Sequence, residues 1–212
     1  MSQPSTDVSR LSERQTNDRT QLDALLDAVP VATVAFVRDG HPVALPTGFA
    51  RLGDELVIHG STGSPWMRQL ADGAPVAVSV TAVDGVLVAR SGFESSFHYR
   101  SAVVFGTFGT VSGPDKNDYL EALTNRFIPG RVAEIRPSTA KELAATLVLR
   151  LPIGTGNWSL KIANGWPDDP EEDVAAGGWA GVVPMTVSYG EPLQAPDSDA
   201  EIPASVRALT GR

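Results

Sequence analysis

The chain has 212 residues, a formal net charge of -8 and no cysteine. The length fits one domain with a sizeable core, and the acidic balance argues against a nucleic-acid binder, which needs a basic face. The absence of cysteine excludes disulfides, thiolate metal sites and cysteine nucleophiles. A hydrophobic content of 42% and a charged content of 20% are typical of a soluble globular protein.

The composition of the two chain ends predicts where in the cell the protein is located and where its folded domain begins and ends. Residues 1–19 lack the apolar core of a secretory signal, and no window approaches the length of a membrane span. We therefore expect a cytoplasmic protein with no membrane partner. Residues 1–19 are predicted to form a flexible tail, residues 20–190 the folded domain, and the Pro- and Asp-rich residues 191–212 a loose tail.

The first half of the chain alternates short apolar runs with turn signals. Thr20 is predicted to cap a helix that Pro30 stops, with Asp23 at the capping-box position. Asp39-Gly40 and Asp84-Gly85 are hairpin signals. Strands are predicted at 31–37, 43–50, 55–59, 75–83 and 86–91, with a short helix at 64–70 after Ser64-Pro65.

The second half continues the β pattern and adds two helices. Strands are predicted at 102–111, 147–152, 158–163 and 182–189, with helices at 115–127 and at 138–146, the second capped by Ser138. Regular strand–helix alternation is missing, which argues against a doubly wound fold. Many short strands with a few short helices predict a mainly β protein, built as an antiparallel barrel.

Two donor-rich clusters stand at predicted strand ends. They are Arg90-Ser91 and Tyr99-Arg100-Ser101. Guanidinium groups and hydroxyls make charge-assisted hydrogen bonds to phosphates and other anions, so the pattern is typical of an anion-binding site. An exposed hairpin whose charges face water explains the same residues equally well.

A third cluster ends one predicted strand and begins a helix. It contains, in order, His59, Gly60, Ser61, Thr62, Ser64 and Arg68. Backbone amides at a helix start attract anions, the hydroxyls add donors, and Arg68 lies about one helical turn further on. An ordinary Ser-Pro helix cap has the same pattern, so this signal alone is weak.

Together these motifs resemble the pyridoxamine 5'-phosphate oxidase-like family, the FMN-binding split barrels, and within it the nitroimidazole-resistance-type flavoproteins. The resemblance covers residues 42–190 and is carried by His41-Pro42, Pro46-Thr47, His59-Gly60-Ser61, Ala89-Arg90-Ser91, Tyr99-Arg100-Ser101, Phe105-Gly106 and Trp179-Ala180-Gly181. The acidic stretch 168–173 also fits the family, although by itself it is most simply a solvated loop.

The resemblance implies a dimeric, antiparallel split β-barrel with a few short peripheral helices and FMN held between two protomers. The implied cofactor-binding residues are Pro46, Thr47, Gly48, Phe49, His59, Gly60, Ser61, Ser64, Arg68, Arg90, Ser91, Tyr99, Arg100, Ser101 and Trp179. The first four would line the flavin ring through strand backbone. The cluster from His59 to Arg68 would approach the ribityl-phosphate and meet the Tyr99–Ser101 cluster there, while Trp179 would come from the partner protomer.

The implied function is an FMN-dependent oxidoreductase that moves electrons from a reduced nicotinamide or a small substrate to a small acceptor. The flavin performs the chemistry, and the protein supplies orientation and electrostatics. Three alternatives remain open: a flavin-binding or redox-sensing protein without turnover, a haem-binding relative with His59 or His98 on the iron, and a deazaflavin user.

The sequence also departs from the family pattern. Relatives have histidines at the positions of Glu94 and Ser95 and an asparagine at that of His98, which puts the substrate choice in doubt. Pyridoxamine 5'-phosphate oxidases proper carry an Arg-x-His pair after the late tryptophan; here no histidine follows His98, and no arginine lies between Trp179 and Arg207. That activity is therefore not expected. His98 is the one candidate catalytic residue, as a proton donor, although a hydrogen-bonded loop histidine is an equal alternative. No spacing matches a metal site.

Overall fold

A computed structural model describes residues 5–7 and 10–211 of the chain. Residues 1–4, 8 and 9 of the predicted amino-terminal tail, and Arg212 of the predicted carboxyl-terminal tail, lie outside the described residues. No helix in the described ranges combines the length and the apolarity that crossing a membrane requires.

Ten strands and six α-helices make up the described fold. The strands are β1 (Gln15–Thr16), β2 (Val31–Arg38), β3 (His41–Leu52), β4 (Glu55–Ser61), β5 (Pro75–Val88), β6 (Ser96–Thr107), β7 (Gly109–Val111), β8 (Thr146–Pro152), β9 (Trp158–Ala163) and β10 (Gly181–Pro184). The helices are α1 (Arg19–Ala28), α2 (Pro65–Ala71), α3 (Asp115–Phe127), α4 (Ala140–Ala145), α5 (Glu171–Ala176) and α6 (Ala204–Leu209). Short 3₁₀ helices span Ser12–Arg14 and Arg131–Glu134.

The strands form one antiparallel sheet in the order β1-β9-β6-β5-β2-β3-β4-β8-β7. Because β7 follows β6 after a single residue, the far end of this order returns to β6 and the sheet curls into a barrel. One edge of β5 pairs with β2 in its first half and with β10 near its end, which is where the barrel splits. The predicted mainly β split barrel with short peripheral helices is thereby confirmed.

Alternation along the strands fills the barrel. In β2 the buried side chains are Ala32, Val34 and Phe36, and each intervening residue faces outward, as a period of two requires. Helix α1 adds Leu22, Leu25 and Leu26 to the same core. A second, smaller cluster lies under α3 on the outer side of the sheet and comprises Ala50, Val57, Val111, Leu123 and Val148.

The helix starts differ from the predicted ones by one or two residues. Helix α1 is capped by Asp18, whose carboxylate accepts a hydrogen bond from the Thr20 amide at 2.8 Å, so Thr20 is not the cap. Asp23 instead binds the Arg19 guanidinium at 2.7 Å. Helix α4 is capped by Thr139 in a capping box with Glu142, rather than by the preceding serine.

The predicted hairpin at Asp84-Gly85 is wrong. Strand β5 runs straight through it, with a bulge between Val83 and Gly85, because the Asp84 carboxylate bonds to Arg100 on the neighbouring strand. The chain reverses later, between β5 and β6. The other predicted turn, Asp39-Gly40, is confirmed, with φ values of 52° and 75° that suit a tight hairpin.

Three further segments depart from the sequence-based boundaries. The strand predicted at 102–111 is interrupted at Phe108, which is buried, and β10 ends well before residue 189. The acidic stretch contains helix α5 instead of only loop. Parts of both predicted tails hold secondary structure: β1 pairs with β9, and the backbone amide and hydroxyl of Ser205 in α6 both donate to Glu134.

Candidate functional site

The outer face of the sheet carries small and hydroxylated side chains where β2, β5 and β6 adjoin. Thr33 lies opposite Ser79, and Thr81 lies opposite Ser101, so each pair projects from the same side of the sheet. The hydroxyl oxygens of Thr81 and Ser101 are 3.0 Å apart. None of these four residues is buried. We call this surface the hydroxyl face.

Strand β3 extends the hydroxyl face. Pro46 and Gly48 point outward, and a Cβ atom on Gly48 would lie 3.4 Å from the Phe127 ring, so α3 bounds the face on this side. Thr47 and Phe49 alternate to the other side, and Phe49 is buried in the core. Phe49 therefore reaches the hydroxyl face only through its backbone.

His59 and Ser61 continue the outer face on β4. Ile58 points into the barrel, whereas His59 and Ser61 point outward and are exposed. Although much of the His59 ring meets solvent, desolvation by the surrounding protein lowers its pKa below the ordinary value of 6.5. No described residue hydrogen-bonds to the ring. The imidazole is therefore neutral at pH 7 and has a nitrogen available to a ligand.

The loop after β4 forms a compact turn that leads into α2. The Ser61 hydroxyl accepts a hydrogen bond from the Gly63 amide at 3.1 Å, and the Ser64 amide donates to the Ser61 carbonyl at 3.0 Å. Arg68 is exposed, and its Nη1 donates to the Thr62 carbonyl at 3.3 Å. This places one guanidinium beside a hydroxyl-rich loop, a combination suited to a phosphate.

Gly60 has a packing role beneath this loop. A Cβ atom there would lie 3.0 Å from the Cγ atom of Met67, which is itself fully buried. The glycine therefore lets α2 seat closely against β4, and it would offer a ligand only backbone.

The guanidinium groups of Arg100 and Arg90 both have carboxylate partners within the chain. Arg100 donates from Nε and Nη2 to Asp84, each at 2.8 Å, which raises the pKa of Arg100 and lowers that of Asp84. Arg90 donates from its amide and Nη1 to Asp169 at 2.9 and 2.8 Å, and the Asp169 side chain is only 1% exposed. Asp84 and Asp169 thus pair with the two arginines that the sequence predicted to bind an anion.

Ser91 organises the turn between β5 and β6. Its hydroxyl accepts from the Glu94 amide at 3.2 Å, and its carbonyl accepts from the Ser95 hydroxyl at 2.8 Å. Glu94 and Ser95, which replace the histidines of relatives, therefore help to build this turn. Tyr99 lies opposite Val83 and shares the outward side of the strand with Ser101.

The two predicted anion-binding clusters stand on strands that are not neighbours in the sheet. The cluster on β4 and α2 is separated from the cluster on β6 by the intervening strands β3, β2 and β5. That the two clusters meet around one phosphate stays a prediction.

His98 lies on the opposite side of its strand from Tyr99 and Ser101. Its Nε2 is 2.8 Å from the Gly165 carbonyl oxygen, and because a carbonyl only accepts, Nε2 carries the proton. This geometry matches the alternative of a hydrogen-bonded loop histidine. A catalytic role for His98 stays a prediction.

Trp179 stands at the start of an exposed apolar segment. Its ring is 66% exposed and lies against Gly181, where a Cβ atom would come within 3.0 Å of the indole. Exposed large apolar side chains follow along the same segment, namely Val183, Met185, Val187, Tyr189 and Leu193. A series of exposed apolar side chains along one segment is typical of a protein interface.

Sequence reasoning missed several residues of this region. Thr33, Ser79 and Thr81 contribute to the hydroxyl face, and the signal was available: hydroxylated residues alternate with buried valines such as Val78 and Val80 in β5. No local pattern in the sequence indicated that Asp84 would pair with Arg100 or that Asp169 would pair with Arg90. Among residues 5–7 and 10–211, no group of three or more acidic or histidine side chains is placed to hold a metal ion.

Comparisons with known proteins agree with this fold. A family model described as pyridoxamine 5'-phosphate oxidase matches residues 18–157. A solved structure of the FAD and haem binding protein from Mycobacterium smegmatis is 67% identical, with a TM-score of 0.91, and the match covers 93% of this chain and 97% of that one. The flavocytochrome Anf3 from Azotobacter vinelandii is 32% identical, with a TM-score of 0.89 and coverages of 96% and 95%.

A more distant structure shares the fold alone. A candidate 5-nitroimidazole antibiotic resistance protein from Bacteroides thetaiotaomicron is 14% identical, with a TM-score of 0.59, over 70% of this chain and 86% of that one. A search of curated proteins gave no match. Of these three structures, the two with the higher identities are thus those of a protein named for binding FAD and haem and of a flavocytochrome.

Proposed function

This chain belongs to the pyridoxamine 5'-phosphate oxidase family, and from that membership we propose that it is a flavin-binding redox protein. The observation that carries the proposal is the 67% identity, over 93% of the chain, to a protein named for binding FAD and haem. Identity at this level over almost the whole length preserves the backbone and most of the lining of a shared site. We infer FAD as the flavin, with the FMN suggested by the family resemblance as the alternative.

The hydroxyl face suits a flavin. A flat ring system fits over the short side chains of Thr33, Ser79 and Thr81, whose hydroxyls match the polar edge of the ring. Ser64 and Arg68 would hold a phosphate through charge-assisted hydrogen bonds. A bound flavin supplies hydride and electron transfer. The side chains bind and orient it, and none of them needs to act as an acid or base.

Haem is a second proposed cofactor, favoured by His59. Haem iron takes a histidine nitrogen as an axial ligand, which requires the neutral imidazole. The lowered pKa of His59 and the absence of any hydrogen bond to its ring from a described residue meet that requirement. In His98, by contrast, Nε2 already donates to Gly165.

We propose a homodimer in which the exposed apolar segment from Trp179 to Leu193 meets a second copy. A monomer that left Val187 and Leu193 almost fully exposed would keep this apolar surface in water. In the dimer Trp179 would border the hydroxyl face of the partner and help to close it.

As an oxidoreductase, the protein would move electrons from a reduced nicotinamide or small substrate to a small acceptor. Oxidation of pyridoxamine 5'-phosphate itself is not proposed, because no Arg-x-His pair follows Trp179. The small acceptor would bind over the hydroxyl face, beside the flavin.

The deciding experiment is an absorption spectrum of the protein purified from cells supplied with riboflavin and a haem precursor. We expect both a flavin band and a Soret band, and mass analysis of the heat-released flavin should identify FAD. Release of FMN instead would correct the flavin and keep the function. A colourless protein that binds neither cofactor on addition would overturn the proposal.

The oligomeric state is tested by sedimentation over a dilution series, with flavin fluorescence followed in parallel. We expect a dimer that releases flavin as it dissociates, because Trp179 closes the site of its partner. A monomer that retains flavin at full affinity would contradict this arrangement.

A further inference from the structure

A separate cavity of about 400 Å³ lies where the ladder of β5, β6 and β9 ends. Its apolar floor is formed by Leu87, Ile162 and Ala163, and its rim carries Trp166 and Asp168. The volume is in the range of about 300–1,000 Å³ that small-molecule sites occupy. We call it the ribbon-end cavity. It contains none of the residues of the hydroxyl face or of the loop beside Arg68.

The rim holds one large aromatic ring in water. Trp166 is 79% exposed and lines this cavity. The Phe97 side chain alternates to the other side of β6 from Ser96 and His98, so it does not add a second ring. Aromatic faces are electron-rich, and they attract organic cations in addition to providing apolar contact. Such a ring beside an apolar floor is suited to an aromatic or cationic ligand.

The charges of the cavity favour a cation. Glu13 lies 4.0 Å from the Nε atom of Arg14, so these two lining residues offset each other. The exposed Asp168 carboxylate has neither an ion pair nor a hydrogen bond with any described residue. The cavity therefore has one carboxylate in excess, in a chain whose net charge is already -8.

A hydrogen bond holds the segment that carries Trp166 and Asp168 in place. The His98 Nε2–H donates to the Gly165 carbonyl at 2.8 Å, and Gly165 immediately precedes Trp166. This bond ties residues 164–168 to the start of β6, where Phe97 is located. The Trp166 ring and the Asp168 carboxylate are thus presented by a segment that a hydrogen bond joins to β6, which limits the entropy lost when a ligand binds.

We propose that the ribbon-end cavity binds a small organic cation with a flat ring, of the N-alkylpyridinium class. Trp166 supplies the aromatic face, Asp168 supplies the opposite charge, and Leu87 and Ile162 receive the apolar edge. This assignment does not depend on the proposed flavin or haem, because the cavity shares no residue with either site.

The test is a calorimetric titration of the full-length, cofactor-loaded protein with N-methylpyridinium, and with toluene as its neutral isostere. We expect saturable binding of one cation per chain and at least a fivefold weaker response to toluene, about the range of a cation–π contact at a partly exposed site. Trp166→Ala and Asp168→Asn should each weaken the binding of the cation by about fivefold or more.

Two matched variants control for general effects on the surface. Phe93→Ala removes an exposed aromatic ring from the nearby turn, and Glu172→Gln removes a charge from the same acidic stretch. Both should bind N-methylpyridinium with unchanged affinity. Because Trp166 is largely exposed, its removal should leave the circular dichroism spectrum intact. The absence of saturable binding, equal affinity for toluene, or equal effects of the control variants would each overturn the proposal.

Discussion

Arg100 and Asp84 form a two-point ion pair across the ribbon of β5 and β6, with Nε and Nη2 each 2.8 Å from a carboxylate oxygen. The pair lies at the bulge between Val83 and Gly85. It holds the two strands together where a hairpin turn was expected. Arg100, which the sequence predicted to bind an anion, is therefore already paired with a carboxylate of its own chain.

The ion pair predicts a pH-dependent contribution to stability. Arg100→Ala should lower the free energy of unfolding by about 1 kcal/mol at pH 7, since both partners are partly exposed and screened by solvent. The Arg100 hydrogen bond holds the pKa of Asp84 below its usual 3.8. A lowered folded-state pKa gives stability that is present above the unfolded pKa and is lost as the pH falls through the folded value.

Urea unfolding of the wild type and the variant between pH 7 and pH 2 measures this effect. The difference between them should shrink below about pH 4. Asp84→Asn is the matched variant, and the double variant should be little less stable than either single one. A difference that stayed constant down to the lowest pH would show that Arg100 acts through packing.

The phosphate-binding role of Arg68 gives a second prediction. Arg68→Ala should weaken flavin binding by about tenfold or more, because it removes a charge-assisted hydrogen bond. Arg100→Ala should weaken it less, since that guanidinium already bonds to Asp84. Flavin fluorescence during titration of the apoprotein measures both affinities.

Arg136→Ala is the control for the loss of a positive charge. Arg136 is exposed, pairs with Glu142 and lies outside the hydroxyl face. Its removal should leave flavin affinity unchanged. If Arg100→Ala lost more affinity than Arg68→Ala, the phosphate would have to be assigned to the β6 cluster.

The third prediction concerns His59 and haem. His59→Ala should abolish the Soret band while retaining the flavin band, and His41→Ala, at an exposed turn, should keep both. Desolvation lowers the pKa of His59 below 6.5, so the ring stays neutral at pH 7. Acid should release haem only below that lowered value, because protonation competes with iron for the same nitrogen and coordination favours the neutral ring.

Absorption spectra recorded along an acid titration follow this release. A Soret band that survives in His59→Ala would transfer the axial role to another residue. A variant that loses both bands together would show general unfolding, which far-ultraviolet circular dichroism detects independently.

The fourth prediction tests the attachment of β10. A Cβ atom on Gly85 would lie 3.0 Å from the Val183 carbonyl oxygen, a backbone atom that has little freedom to move. Gly85→Ala should therefore displace β10, at a cost of about 1–3 kcal/mol. Because Trp179 and the exposed apolar segment flank β10, dimer affinity should fall as well.

Hydrogen exchange at the amides of β10 is the direct measurement. The strand should lose protection in Gly85→Ala and keep it in Gly92→Ala, where a Cβ atom would meet nothing within 4 Å. Unchanged protection in both variants would contradict the close contact between the strands.

Local patterns were sufficient for much of the fold. The helix predicted at 115–127 and the strand predicted at 158–163 have the same limits in the structure, because each is a periodic run bounded by clear breakers. The Asp39-Gly40 turn was also predicted correctly. At Asp84-Gly85 the same dipeptide gave the wrong prediction, since the carboxylate there bonds to an arginine sixteen residues away.

The sequence by itself determined the barrel, because alternating apolar residues fix which side of each strand is buried, and it determined the family through motifs in a recognisable order. Tertiary structure alone decided how the charged groups are used. Arg90 and Asp169 are 79 residues apart, and no local spacing could indicate that they would meet. The hydroxyl face likewise exists only after pairing brings Thr33 beside Ser79, because a surface built across strands depends on register, and long-range pairing sets the register.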